Sequence, residues 1–283
     1  MDYFLHIAIV ASLYAMLAMS LNFFSGNTGL LSLTHAGFYG LGAYGWALAA
    51  ANGLSFALAP IIALAAVSLS ALVVSLVAFR TRDDYFVIIT LSVQMLIFDI
   101  LNNFSVITNG PLGIRAIPQV PLISSAGGMA IFAVSSALVI YVALWRLNRS
   151  SWGANLRGIR DDELMMIALG KPVPRIKTIT FLIGAAIAGY VGMLFAQYVT
   201  FIDPTSFTIS ESIVVLAMIV VGGLGSVHGA LLAAVALVML PEALRFFGIP
   251  GVAEGNARQM LYGAALVVIM LLRSGANTRV SSL

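Results

Sequence analysis

LSFALAPIIALAAVSLSALVVSLVAF, residues 54–79, runs from Leu54 to Phe79 without one ionisable side chain. An α-helix needs roughly 20 predominantly apolar residues to cross the hydrocarbon core of a bilayer, and this run exceeds that length. Reading outward from it, similar runs recur at 3–24, 36–52, 85–101, 122–145, 178–201, 211–224, 229–244 and 259–273, separated by short polar or glycine-rich connections. Together they predict an all-α polytopic membrane protein with about eight to ten spans, nine being the working count. No stretch between the runs is long enough for a soluble domain, so residues 1–283 read as a single transmembrane domain. The first run lacks a basic leading segment, and no small-residue cleavage site stands out after it, so it reads as a retained span rather than a signal peptide.

The composition agrees. Hydrophobic residues make up 61% of the 283 and charged residues 9%, against about 45–50% and about 25% in soluble domains. Lipid accepts such side chains and requires only that the backbone satisfy its own hydrogen bonds. With no cysteine there is no disulfide framework, thiolate nucleophile or Cys-based metal site. The excess of 14 Lys and Arg over 11 Asp and Glu is mild and implies no nucleic-acid face.

Charge placement sets the expected orientation, because cytoplasmic loops are enriched in Lys and Arg. The loop 146–177 carries Arg146, Arg149, Arg157, Arg160, Lys171, Arg175 and Lys177 and is placed in the cytoplasm. Counting crossings outward puts Arg80, Arg82, Arg273 and Arg279 on the same side, leaving only Arg115, Arg245 and Arg258 outside. The N-terminus is then external and the C-terminus cytoplasmic. An extra crossing or re-entrant piece near residues 25–37 would reverse the N-terminal half.

Two segments interrupt apolar runs: Gly26-Asn27-Thr28-Gly29 through Thr34-His35-Ala36-Gly37, and Gly222-Gly223-Leu224-Gly225-Ser226-Val227-His228-Gly229. Glycine weakens helices and lets backbones approach closely. Gly26, Gly29, Ser32, His35, Gly37, Gly222, Gly223, Gly225 and Ser226 are therefore candidates for helix breaks beside a transport path, with close packing as the alternative reading of the same glycines. Their occurrence once in each half is consistent with an internal repeat.

Several chemistries find no support. Gly170-Lys171-Pro172 is no phosphate loop, and without one the chain is expected neither to bind nor to hydrolyse ATP. His6, His35 and His228 lack metal-ligand spacing, and Ser226 lacks the Gly-x-Ser-x-Gly elbow of a hydrolase. Asp99, Glu211 and Glu242 lie near span ends rather than at the midplane, which argues against a proton- or sodium-coupled carrier.

SSWGANLRGIRDDELMMIALG, residues 150–170, mixes helix signals with a charge cluster. Asp161, Asp162 and Glu163 suit a first helical turn, the apolar run from Leu164 to Leu169 propagates it, and Gly170 ahead of Pro172 ends it. The segment thus reads as one short amphipathic helix. Its charges serve topology and anionic lipid on one reading, while exposed Met165 and Met166 suit docking to a partner groove on the other.

At this point a resemblance adds to the reading. GNTGLLSLTHAGFYGLGAY (26–44), RTRDDYF (80–86), TNGPLGI (108–114), LRGIRDDE (156–163) with ALG (168–170), FIDP (201–204) and GGLGS (222–226) occur in the order found in LivM-like permease subunits of branched-chain amino acid ABC importers, and the chain resembles that family along nearly its whole length. The sequence departs from the family pattern at Met165-Met166, Lys171-Pro172-Val173 and Val227-His228-Gly229-Ala230. The resemblance implies a type II importer-like fold, a second homologous (LivH-like) permease, two ABC ATPase subunits holding ATP and Mg, and a periplasmic or extracellular substrate-binding protein, all at a prokaryotic plasma membrane. It also implies that Arg157, Arg160, Asp161, Asp162, Glu163 and Gly170 belong to a coupling helix seated on the ATPase. The substrates to weigh are branched-chain or other hydrophobic amino acids, with urea or short amides as the alternative for the same machinery and an unrelated secondary carrier as the third reading.

Overall fold

The computed structural model describes residues 2–81, 83–246 and 263–264. Arg82, Arg258, Arg273, Arg279, the C-terminus and, save for 263–264, the span expected at 259–273 lie outside these residues. The described chain runs through α1 (Asp2–Leu21), α2 (His35–Ala51), α3 (Leu58–Ala78), α4 (Asp83–Asn103), α5 (Ser105–Thr108), β1 (Ile114–Arg115), α6 (Ala126–Arg149), α7 (Ser151–Asp161), α8 (Glu163–Ala168), α9 (Val173–Val199), β2 (Phe201–Ile202), α10 (Ile209–Gly222) and α11 (Val227–Phe246). Among the described residues, six segments are long and apolar enough to cross a membrane: Asp2–Gly26, Leu58–Ala78, Tyr85–Asn103, Ala126–Arg149, Val173–Val199 and Pro204–Gly222. α2 and α11, the latter apolar over Val227–Glu242, pack into the same bundle.

The first expected span is longer than its apolar run implies. α1 passes into a π-helical turn, Asn22–Gly26, and helical backbone continues to Thr28. Gly26 therefore lies within a helix, and the interruption is the short segment 29–34, opened by Gly29 at φ +79°. α2 has only 17 residues, about 26 Å of helix, less than the roughly 30 Å of a hydrocarbon core. It begins inside the bundle rather than at its edge. Ala36 N–H donates to Ser212 Oγ at 3.0 Å and Gly37 N–H to Gln94 Oε1 at 2.6 Å, while Gln94 Nε2 donates to the Phe207 carbonyl at 2.9 Å. Ser20 Oγ and His35 Nε2 lie 2.8 Å apart, and Leu33 N–H donates to Thr90 Oγ1 at 3.2 Å.

α1 occupies the centre, packed against α6, α9, α10 and α11, with Ile9, Met16, Met19 and Phe23 fully buried. α2 lies along α9 in backbone contact: a Cβ at Gly42 would overlap the Gly189 carbonyl, and one at Gly192 the carbonyl of Tyr39. Without a water-driven force between helices, such van der Waals contact is a main source of association. At one end Phe24, Phe79, Phe86 and Phe181 form an aromatic cluster joining α1, the α3–α4 connection and α9, with Phe24 and Phe181 centroids 5.0 Å apart.

Two further boundaries differ from the sequence reading, and the short α5 and a strand pair are additional. The spans expected at 122–145 and 178–201 are the helices 126–149 and 173–199. Pro174 in the first turn of α9 carries a φ already suited to a helix start, so that helix begins within the basic loop and takes Lys177 into the bundle. At the opposite end β1 and β2 pair antiparallel, Ile114 with Ile202 and Arg115 with Phe201. Ile117 N–H donates to the Thr200 carbonyl at 3.1 Å and Gln119 Nε2 to the Gln197 carbonyl at 2.7 Å, fixing the connection between α4 and α6 onto the end of α9.

The α2–α9 contact predicts that Gly42→Leu destabilises the bundle by at least about 1–3 kcal/mol, the usual range for overpacking, whereas Gly127→Leu, with open space around it, leaves stability unchanged. Thermal unfolding of the detergent-purified variants checks this, and equal melting of the two would rule out the close crossing.

Candidate functional site

α6 ends at Arg149, and Ser150 caps α7 by accepting the Trp152 N–H at 3.1 Å. α7 presses Gly153, Leu156 and Ile159 inward, a stripe at helical spacing, and Trp152 Nε1 donates to Thr180 Oγ1 of α9 at 3.0 Å. The single helix expected over this segment is two. Asp162, extended at φ −156° and ψ 100°, ends α7 and caps α8, its Oδ1 accepting the Met165 N–H at 2.9 Å. Asp162 and Glu163 do open a helix, as their charge favours, but that helix is the second. Gly170, at φ +75°, stops α8: its N–H donates to the Ile167 carbonyl and that of Lys171 to the Met166 carbonyl.

The charged groups of this segment turn largely toward their own chain. Arg157 Nη1 donates to the Asn148 carbonyl at 2.9 Å, Arg160 Nη1 to the Gly26 carbonyl at 2.7 Å, and Lys177 Nζ lies 2.6 Å from Glu163 Oε2. Asp161 is exposed. The outward face of α8 is apolar: Leu164 is 78% exposed, with Met165, Ile167 and Leu169 exposed beside it. Met166 differs from its expected exposure. It is buried, because Gly158 on α7 leaves a notch for its sulfur.

The second break joins this segment. α10 ends at Gly222, Gly223 adopts φ +97° and Gly225 φ +86°, and α11 starts at Val227. Asn22 Oδ1 accepts the Gly225 N–H at 2.9 Å, Asn22 Nδ2 donates to the Ser226 carbonyl at 2.7 Å, and Asn148 Nδ2 donates to the Gly225 carbonyl at 3.0 Å. The glycines therefore divide by role. Gly29, Gly223 and Gly225 hold backbone conformations that side chains disfavour. Gly26 and Gly222 sit at close crossings, where a Cβ would overlap Gly225 and Gly229 respectively, and at Gly37 it would crowd Gln94. Ser32 hydrogen-bonds Thr34 inside the bundle.

At the opposite end the structure brings together groups that sequence reasoning did not connect. Tyr14 Oη donates to Glu211 Oε2 at 2.8 Å, Tyr3 Oη donates to Glu242, and His6 Nδ1 lies 2.5 Å from Tyr198 Oη. A cavity of about 180 Å³ opens among His6, Tyr14, Phe195 and Glu242. Glu211 and Glu242 were visible as carboxylates at span ends, but their tyrosine partners lie 197 and 239 residues away and gave no local signal. His228 pairs with Tyr141 at 2.6 Å, tying α11 to α6. Asp99 lies on an exposed face near the end of α4.

An apolar helical bundle with interrupted helices and a structured charged loop at one end defines a polytopic α-helical membrane protein. Residues 3–270 match the family described as branched-chain amino acid transport system, permease component, and the chain belongs to that family. It is 34% identical, over 94% of its length and 67% of the relative's, to the high-affinity branched-chain amino acid transport system permease protein LivM of Escherichia coli strain K12. More distantly it is 24% identical, over 59% of its length and 50% of the relative's, to a probable branched-chain amino acid transport permease protein LivM of Methanocaldococcus jannaschii. It is also 31% identical, over 56% of its length and 42% of the relative's, to the xylose/arabinose import permease protein XylH of Sulfolobus acidocaldarius. No solved structure matches the chain.

The buried Lys177 predicts asymmetric mutational costs. Glu163→Gln strands its charge and should destabilise by about 1–3 kcal/mol, below the range for a fully buried pair because 40% of the Glu163 side chain is exposed. Adding Lys177→Met should recover much of that loss. Denaturant titration of the single and double variants measures the coupling, and strictly additive effects would mean that the pair contributes nothing.

Proposed function

We propose that this chain is the transmembrane permease subunit of a binding-protein-dependent ABC importer for branched-chain or other hydrophobic amino acids. It works beside a second, homologous permease, with two ATPase subunits supplying ATP hydrolysis and a substrate-binding protein delivering cargo. The loop 146–177 and the C-terminus face the cytoplasm of a prokaryotic cell. ATP-driven closure of the ATPases shifts the coupling element, and the helices switch between outward and inward access to a path between the two permeases.

The observation that carries this reading is the apolar face of α8. Leu164, Met165, Ile167 and Leu169 project from the end of the bundle that gathers the Lys and Arg residues, on a helix capped at both ends and held by Glu163 to Lys177. Such a face fits a groove on a partner, and its position at the positive end fits a cytoplasmic one. The family and the name of the Escherichia coli relative support the transport role and the amino-acid cargo. The apolar composition of the helices suits apolar cargo.

Two experiments test it. Leu164→Asp with Ile167→Asp should abolish copurification of the ATPase subunits while leaving membrane insertion intact, and full retention of the ATPases would remove α8 as the docking element. In proteoliposomes holding the complete complex, ATP-dependent uptake of leucine, isoleucine or valine is expected, with cysteines at Ser150→Cys and Ser206→Cys labelling from opposite faces. Uptake of xylose or urea instead of these amino acids would overturn the substrate assignment.

A further inference from the structure

The inner ends of α1 and of the α10–α11 break do not close their own hydrogen bonds. At the end of a helix the last carbonyls have no intrahelical partner, and one of these, on Gly26, is met by Arg160 of α7. A cation there also complements the negative end of the helix dipole. The backbone of the α10–α11 break is met in the same way by side chains from elsewhere: Asn22 takes the Gly225 N–H and gives to the Ser226 carbonyl, and Asn148 gives to the Gly225 carbonyl. Gly26 and Gly225 touch backbone to backbone, and the Arg160 side chain lies against both Gly29 and Gly225. Asn22 is fully buried and opens the π-helical turn that ends at Gly26. A π turn is a locally underwound departure from α-helix, found frequently at functional sites. One continuous set of contacts therefore runs from α7 through Arg160 to Gly26, along the π turn to Asn22, and from Asn22 into the break.

We propose that Arg160 and Asn22 are positioning residues of an internal latch that carries movement of α7 and α8 to the α10–α11 break, and that Arg160 serves this latch rather than the ATPase surface. The inference rests on the reading of α8 as the docking element. Arg160 directs its guanidinium into its own bundle, while the outward apolar face lies on α8. When α7 shifts, the Gly26 carbonyl follows its cation, and the Asn22 side chain, one π turn earlier, either drags Gly225 and Ser226 with it or releases them. Both arrangements leave the same two helices packed but change the geometry at the break, which is how a small displacement selects between discrete states.

The test uses the full complex in proteoliposomes, with Leu224→Cys as reporter in a chain that has no cysteine of its own. Leu224 is exposed at the tip of the break. Its labelling by a thiol reagent, read on this chain's band, should change with a non-hydrolysable ATP analogue. Arg160→Ala and Asn22→Ala should keep the ATPases bound and hydrolysing, abolish the nucleotide dependence at Leu224→Cys, and reduce uptake per ATP by about tenfold, within the usual range of coupling between sites. Arg160→Lys, which keeps one cationic donor, should restore part of both readouts. If Arg160→Ala releases the ATPases, Arg160 is a docking residue and the latch is wrong. Labelling and uptake that still respond to nucleotide in both alanine variants would overturn it equally. Should Arg160→Ala fail to accumulate, Asn22→Ala and Arg160→Lys carry the same test. Retention of the ATPases by Leu164→Asp with Ile167→Asp would instead undo the docking reading, and is distinguishable from either result.

Discussion

A helix that starts inside an apolar bundle must find partners for its first N–H groups within the chain, because water and lipid offer none. α2 meets this constraint with Ser212 from α10 and Gln94 from α4, and Gln94 is itself held by the Phe207 carbonyl. The polar side chains buried among so many apolar ones are thus placed by backbone demand. Once α2 is fixed there, its Gly42 meets Gly189 of α9 at backbone distance, and α9 carries the contact onward to the end of the basic loop. The orientation of α7 and α8 follows, since Trp152 and Glu163 both reach α9, at Thr180 and Lys177.

The basic loop shows how one set of charges serves two purposes. Arg157, Arg160 and Lys177 contribute to the positive bias that sets membrane orientation, and in the folded chain they satisfy carbonyls and a carboxylate. Consuming the charges internally leaves an apolar face outermost on α8. A surface of that kind binds through shape and burial rather than through long-range attraction, so its partnership depends less on salt than a charged face would.

Much of the architecture was legible because the bilayer imposes a length and a composition on every crossing. The runs at 54–79 and 85–101 correspond closely to α3 and α4. What a run of apolar letters does not encode is depth. The shortness of α2 is decided by where Gln94 and Ser212 meet it, far away in sequence. Both glycine clusters were visible, but separating Gly223, which needs a positive φ, from Gly222, which needs close approach, requires the backbone itself. Asp161, Asp162 and Glu163 signalled a helix start without showing that another helix had just ended at Asp162. The β1–β2 pairing was hidden because strands of two residues leave no periodicity, and the Tyr3 and Tyr14 contacts because their carboxylate partners lie 239 and 197 residues away in sequence.

The central place of α1 bears on how the protein is made. Domains emerge from the ribosome amino end first, so α1 enters the bilayer long before its neighbours α9, α10 and α11 exist. Its Asn22 is matched by groups at Gly223, Gly225 and Ser226, about two hundred residues later in synthesis. Until then a polar amide waits in an environment that penalises it. The helix that organises the finished bundle is therefore the one that spends longest incompletely solvated, and the exposure of the nascent chain to mispairing is concentrated there.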